Sequence, residues 1–145
     1  MLEYHDARVR VRYAETDQMG VVYHANYFVW FEVGRVELMR ALGVEYKKME
    51  RDDDCHIVVA DVHCRYHHPA RYDEELRVRT RIAESRNRLV KFSYELFRDA
   101  DDTLLANGQT THIICGSNGR PKMLPEKYRR ILVALAVPNP DRSDA

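Results

Sequence analysis

Five stretches of the chain carry apolar residues at every second position. Val9, Val11 and Tyr13 alternate with Arg8, Arg10 and Arg12, which reads as a half-buried strand over Arg8 to Tyr13. From Ile57 to Tyr66 the same period puts Val58, Ala60, Val62, Cys64 and Tyr66 on one face and Asp61, His63 and Arg65 on the other. Leu76, Val78, Thr80 and Ile82 alternate with Arg77, Arg79 and Arg81, and Val90, Phe92, Tyr94 and Leu96 with Lys91, Ser93 and Glu95. A fifth strand, polar in its middle, is predicted over Leu104 to Cys115.

Between the first two strands the period changes. At about 100° per residue, Tyr27, Phe31, Gly34, Leu38, Ala41 and Leu42 share one face, with Phe28 and Trp30 beside it and Glu32, Arg35, Glu37 and Arg40 opposite. This predicts one helix from Asn26 to Leu42, ended by Gly43 and apolar enough to lie against a curved sheet. Turn residues separate the later strands at His68-Pro69-Ala70, Ser85-Arg86-Asn87 and Asp99 to Asp102, and two of these links suit hairpins, so antiparallel pairing is expected. Pro125 opens a C-terminal helix to about Ala136, and residues 138–145 read as a flexible tail. The layout is α+β in a single domain over residues 1–137.

Length and composition then remove whole classes. A chain of 145 residues suits one domain. Its apolar runs, such as Tyr27 to Phe31, are far short of the ~20 residues of a membrane span. The charged start, Met1 to Arg10, lacks the apolar core of a secretory signal. With 23 basic and 23 acidic residues, no excess positive charge points to nucleic acid. Cys55, Cys64 and Cys115 are odd in number and show no CxxC spacing, so a disulfide framework is not expected and a reducing cytoplasm is the simplest compartment. The glycines form no phosphate-binding loop and no serine-hydrolase elbow. His63, His67 and His68 are too far apart on a strand to chelate one ion, and neither a metal nor a cofactor is expected.

Two features invite chemistry. The arginine rows, Arg8/Arg10/Arg12 and Arg77/Arg79/Arg81, read either as a solvated sheet face paired with acids such as Glu95 or as a set of phosphate ligands. The segment Thr16 to Tyr27 sets Asp17 before a Gly20 turn that leads into the N-terminus of the apolar helix. The first N–H groups of a helix lack internal partners and carry partial positive charge, so they can hold a developing oxyanion beside a carboxylate. The plainer alternative is an aspartate that caps a turn next to a glycine with positive φ.

The stretch Asp17-Gln-Met-Gly-Val-Val-Tyr-His-Ala-Asn-Tyr27 resembles the signature of the 4-hydroxybenzoyl-CoA thioesterase-like family, which includes the Tol-Pal-associated acyl-CoA thioesterases. The likeness continues through Phe31 to Arg35, Tyr66-His-His-Pro-Ala-Arg-Tyr-Asp73, the fifth strand and Gly119 to Pro125, and so spans roughly residues 8–133. It implies a hot dog fold, a five-stranded antiparallel sheet wrapped around one long central helix with a short C-terminal helix. It also implies a homodimer or tetramer with active sites between subunits, and acyl-CoA as substrate. The family's catalytic aspartate falls on Asp17, and its polarising backbone amide on or next to His24.

Thioester hydrolysis suits these parts, because a thiolate leaves readily without a strong general acid. Asp17 would act as general base or as nucleophile, with a helix N-terminal amide as oxyanion donor. Tyr23, Ala25, Asn26, Tyr27, Val58 and Val59 are the candidate substrate contacts, each equally readable as core, and Arg88, Arg120 and Lys122 are candidates for the CoA phosphates. Two other readings stand beside hydrolysis. One is a non-catalytic acyl-CoA-binding or interaction module. The other is a hot dog hydratase, which in one branch has a histidine five residues after its aspartate; here that place holds Val22.

Overall fold

The helical and alternating patterns resolve into one sheet curled about one helix. The computed structural model describes residues 3–136. In chain order the elements are β1 (His5–Arg10), α1 (Asn26–Ala41), α2 (Tyr46–Asp53), β2 (His56–Tyr66), β3 (Glu75–Arg86), β4 (Leu89–Arg98), β5 (Leu104–Cys115) and α3 (Glu126–Leu135). The strands lie in the order β1-β3-β4-β5-β2, antiparallel throughout, which leaves β1 and β2 as the edges.

The alternation decides the core. Leu76, Val78 and Ile82 of β3, Val90, Phe92, Tyr94 and Leu96 of β4, and Ala106 and Ile114 of β5 are buried on the inner face. Against them α1 packs Tyr27, Trp30, Phe31, Gly34, Leu38 and Met39. Each large apolar side chain removed from water contributes roughly 1.5–3 kcal/mol, and this face supplies most of the driving force. Phe31 stacks flat on Tyr94 with ring centres 4.4 Å apart. Gly34 lets the helix ride directly on β3: a Cβ there would stand 2.4 Å from Thr80 Oγ1 and 2.7 Å from Val78.

Several expectations need correction. The first strand ends at Arg10, not Tyr13; the chain turns away from the sheet into a 3₁₀ turn over Tyr13–Glu15, and Tyr13 is exposed. The helix α2 had no signal, because Met49 is its single buried residue. Its C-terminal carbonyls at Asp53 and Asp54 accept Lys122 Nζ at 3.0 Å each, a contact 68 or more residues away in sequence. The even alternation assigned to β2 fails at Ala60, where a bulge shifts the register between Val59 and Asp61. Ile57 and Val59 pair with the inward residues Ile114 and His112, whereas Val58 pairs with Ile113 and faces outward. One extra residue flips every later side chain to the other face. The tail at 138–145, with residue 137 and the first two residues, lies outside the described residues.

The arginine rows are paired. Arg79 grips Asp6 with two bonds of 2.9 Å, Arg77 bonds Asp99 (2.8 Å) and Asp102 (2.6 Å), Arg8 bonds Asp99 (2.8 Å) and Arg81 bonds Glu95. The bond from Arg79 holds the Asp6 carboxyl below its usual range. Charges already matched by carboxylates leave these rows as the outer face of the sheet.

One polar group sits inside the core. His112 on β5 is fully buried, its Nε2 within 2.8 Å of Thr110 Oγ1 and its ring edge-on to Phe92. Burial, with the Arg35 guanidinium in support, pushes its pKa from 6.5 down to about 3. The unfolded chain therefore binds a proton below about pH 6.5 that the folded chain refuses until about pH 3, so stability falls as pH falls through that window. Between pH 6.5 and 5 this group alone is expected to remove roughly 2 kcal/mol. Urea unfolding of His112→Leu at both pH values checks it: the variant should lose less stability on acidification than the wild type, and an equal loss removes His112 as the cause.

Candidate active site

The loop between β1 and α1 is built around a buried carboxylate. Glu15 is 5% exposed; its Oε1 accepts the Arg12 N–H (2.7 Å) and its Oε2 the Trp30 indole N–H (3.0 Å). The Glu15 carbonyl accepts the Asn26 side-chain amide (2.8 Å) and the Tyr23 N–H (2.9 Å). Both ends of the loop are thus tied to one residue. On its other side Val22 N–H donates to the Ala70 carbonyl (2.9 Å), and Ala70 N–H donates to the Tyr27 hydroxyl (3.0 Å), which joins the loop to the segment after β2.

Asp17 sits at the lip of this loop, half-buried. Its Oδ1 accepts the Met19 N–H (2.8 Å), its N–H donates to the Val21 carbonyl (2.8 Å) and its carbonyl accepts the Gly20 N–H (3.0 Å). Gly20 has φ of +77°, the left-handed conformation glycine tolerates best. The turn-capping role is therefore real, and it occupies one carboxylate oxygen. Among the described residues Oδ2 meets no donor and remains available to a water or a substrate.

Helix α1 begins with Asn26, and the N–H groups of Asn26, Tyr27 and Phe28 are spent on the carbonyls of Tyr23, His24 and Ala25. Among the described residues the N–H groups of His24 and Ala25 donate to no acceptor. They are unsatisfied donors at the positive end of the helix. Asp17, His24 and Tyr27 line a cleft of about 370 Å³ together with Val21, Val22 and the Tyr66–Pro69 segment that follows β2. The carboxylate and the helix start thus share one open space.

The remaining candidates are divided between the cleft's surroundings and the far end of the sheet. Tyr23 is half-exposed, its ring 4.6 Å from that of His24, and Ala25 is exposed. Asn26 spends its side chain on Glu15 and Tyr27 its hydroxyl on Ala70. Val58 and Val59 lie at the far end of β2 from Tyr66, about 25 Å along the strand, and do not meet Asp17 within one chain. Arg88 and Arg120 flank the strand end near Ile114 and Cys115, also remote from the cleft, and Lys122 is committed to the end of α2. Glu15 has no place in the sequence pattern, and Tyr66 enters it as the end of the second strand and the start of the Tyr66–Asp73 motif, without a role. A buried acid beside an indole donor, or a tyrosine at a strand end, leaves no mark at the level of periodicity.

Comparison with known proteins places the chain in a family. The profile of the thioesterase-like superfamily covers residues 11–135. The chain belongs to the thioesterase-like superfamily. It is 41% identical over 105 residues to the putative acyl-CoA thioesterase YneP of Bacillus subtilis, covering 72% of this chain and 75% of that one. It is 32% identical over 114 residues to the acyl-CoA thioesterase YbgC of Haemophilus influenzae, covering 79% and 82% respectively. Its fold matches the crystal structure of a DHNA-CoA thioesterase from Staphylococcus aureus with a TM-score of 0.87 at 29% identity, over 91% of this chain and 90% of that one. The hot dog fold implied by the motifs is the fold observed, and the enzyme class that follows from membership in this superfamily is thioester hydrolase.

Proposed function

We propose that this member of the thioesterase-like superfamily hydrolyses acyl-CoA to a free acid and CoA, with Asp17 as the reacting carboxylate. The observation that carries this reading is the shared cleft: one free carboxylate oxygen and a helix start with two unspent N–H groups. A thioester carbonyl lying between them would have its developing oxyanion held by the His24 and Ala25 amides. Asp17 then either takes a proton from the attacking water or attacks the carbonyl itself to give a mixed anhydride, which a water then cleaves to release the acid and restore the carboxylate. In both routes the C–S bond breaks and the CoA thiolate leaves, its pKa near ~8.5 making it a good leaving group. The His24 side chain, exposed at the cleft wall between the rings of Tyr23 and Tyr66, would line the acyl entrance. The test is thiol release from a panel of short, medium, long and aromatic acyl-CoAs. Tight binding without free thiol would favour a binding module instead.

The working unit in this proposal is a dimer made by the free edge of β2. Val58, Val59 and Val62 are each close to half exposed there, and Val29 and Val33 form an exposed pair one turn apart on α1. A long apolar edge strand invites pairing with a copy of itself. Antiparallel pairing about a two-fold axis would bring the partner's Arg88 and the partner's Arg120 to the Tyr66 end of β2, beside this cleft. Basic side chains remote from Asp17 in one chain would thereby meet the CoA phosphates of the other. Val62→Lys is expected to shift the mass in sedimentation from dimer, or dimer of dimers, to monomer and to lower turnover at least tenfold. A dimeric, fully active V62K would sink the pairing. Three free cysteines suit a reducing compartment, and we place the protein in the cytoplasm. No described helix is long and apolar enough to cross a membrane.

A further inference from the structure

Tyr66 closes β2 at the mouth of the cleft, and its hydroxyl donates to the His24 carbonyl at 2.9 Å. The ring is not core: Tyr66 is 43% exposed. It is held edge-on by Tyr27 at 4.9 Å and by His24 at 6.3 Å. Tyr27 is in turn fixed by the Ala70 N–H. The His24 carbonyl also accepts the Tyr27 N–H at 3.3 Å, so both of its lone-pair directions are engaged.

This carbonyl belongs to the residue whose own N–H is unspent, and it forms one rigid peptide unit with the unspent N–H of Ala25. From the helix this peptide is held through the Tyr27 N–H at 3.3 Å, and the Tyr66 hydroxyl adds a second, shorter hold from the sheet. Anchoring its oxygen from β2 sets the plane in which the Ala25 N–H points. A hydrogen bond to the carbonyl also polarises the N–H at the other end of the same unit, strengthening it as a donor. We propose that Tyr66 is a positioning residue for thioester hydrolysis: through the His24 carbonyl it holds the Ala25 N–H group towards the reacting carbonyl oxygen.

The inference rests on the catalytic reading above and deepens it. Tyr66 touches no reacting atom; it acts through the peptide. Burial raises the pKa of its hydroxyl, so the group stays protonated, and a donor, across the working pH range.

Tyr66→Phe keeps the ring and its contacts and removes the one hydroxyl. Turnover of the best acyl-CoA from the panel is expected to fall roughly tenfold in kcat with KM within about twofold, because the lost interaction serves the transition state and not ground-state binding. In ¹⁵N spectra the His24 and Ala25 amides should shift or broaden while those of mid-α1 stay in place. A ring-fluorinated tyrosine at 66, a stronger donor of similar size, should match or exceed wild-type kcat at pH 6.5. Wild-type kcat in Y66F overturns the proposal, and so does a rise in KM alone, which would make Tyr66 a substrate contact. Should Y66F fail to fold, the fluorinated variant decides: kcat below wild type overturns the inference. The Asp17→Asn variant separates the two levels. If it is inactive and Y66F is normal, only this inference fails; if both turn over normally, the catalytic reading itself has failed.

Discussion

Replacing Asp17 with asparagine is expected to lower kcat/KM for acyl-CoA hydrolysis by about a thousandfold or more. General base catalysis by a positioned side chain supplies roughly 10²–10⁴ in rate, and a nucleophile supplies at least as much. A thousandfold corresponds to about 4 kcal/mol of transition-state stabilisation. The fold should survive, since the amide oxygen of asparagine can still accept the Met19 N–H that Asp17 Oδ1 accepts at 2.8 Å. Gly20 and the Thr16–Val22 bridge hold the rest of the turn. The measurement is thiol release with purified protein, alongside a melting curve and an oligomer mass. A folded variant with wild-type turnover would remove Asp17 from the mechanism and leave the carboxylate as a turn cap.

The largest loss of stability is expected from Gly108→Ala. Gly108 pairs with Cys64 on β2 and with Tyr94 on β4, in the middle of the sheet. A Cβ there would lie 2.5 Å from the His63 carbonyl oxygen and 2.6 Å from the Phe31 ring. Neither can yield cheaply: the first is backbone held in the β2–β5 ladder, and the second is stacked on Tyr94. Overpacking of this kind costs about 3 kcal/mol, a fall of roughly 10 °C in Tm for a chain of this size. Gly116→Ala serves as the milder comparison, because its added methyl would meet side-chain ends of Asp54 and Asn118 at 3.1 and 3.2 Å, not backbone or a packed ring. A G108A melting point equal to that of wild type would show that β2 is not held where the structure puts it. Because β2 also carries Tyr66, activity should fall with stability.

Periodicity is most informative where both neighbours of a strand are also strands. The central strands β3, β4 and β5 and the helix α1 lie within a few residues of their expected places, because one face of each is buried and that face must be apolar. At the edges the constraint weakens. Most of β2 is exposed on both faces, so nothing in the alternation marks the bulge at Ala60. The end of β1 depends on where its partner strand stops, and α2 depends on a lysine from beyond β5.

The candidate site divides in the same way. The Asp17–Gly20 turn and the start of α1 are local in sequence, and the motif they form carries the resemblance to thioester-cleaving proteins. Glu15 as the tie between loop and helix, and Tyr66 as the anchor of His24, are contacts across 15 and 42 residues. Their partners are chosen by which strand ends beside which helix.

The chain's own pattern of residues thus determined an apolar helix, the strands that must cover it, and a carboxylate set before the helix start, since local propensity and burial on one face depend only on neighbours in sequence. Folding alone decided the order β1-β3-β4-β5-β2, the register slip in β2, and which hydroxyl meets the His24 carbonyl. Those choices depend on distances between segments far apart in the chain, and such distances exist only once the sheet has closed on its helix.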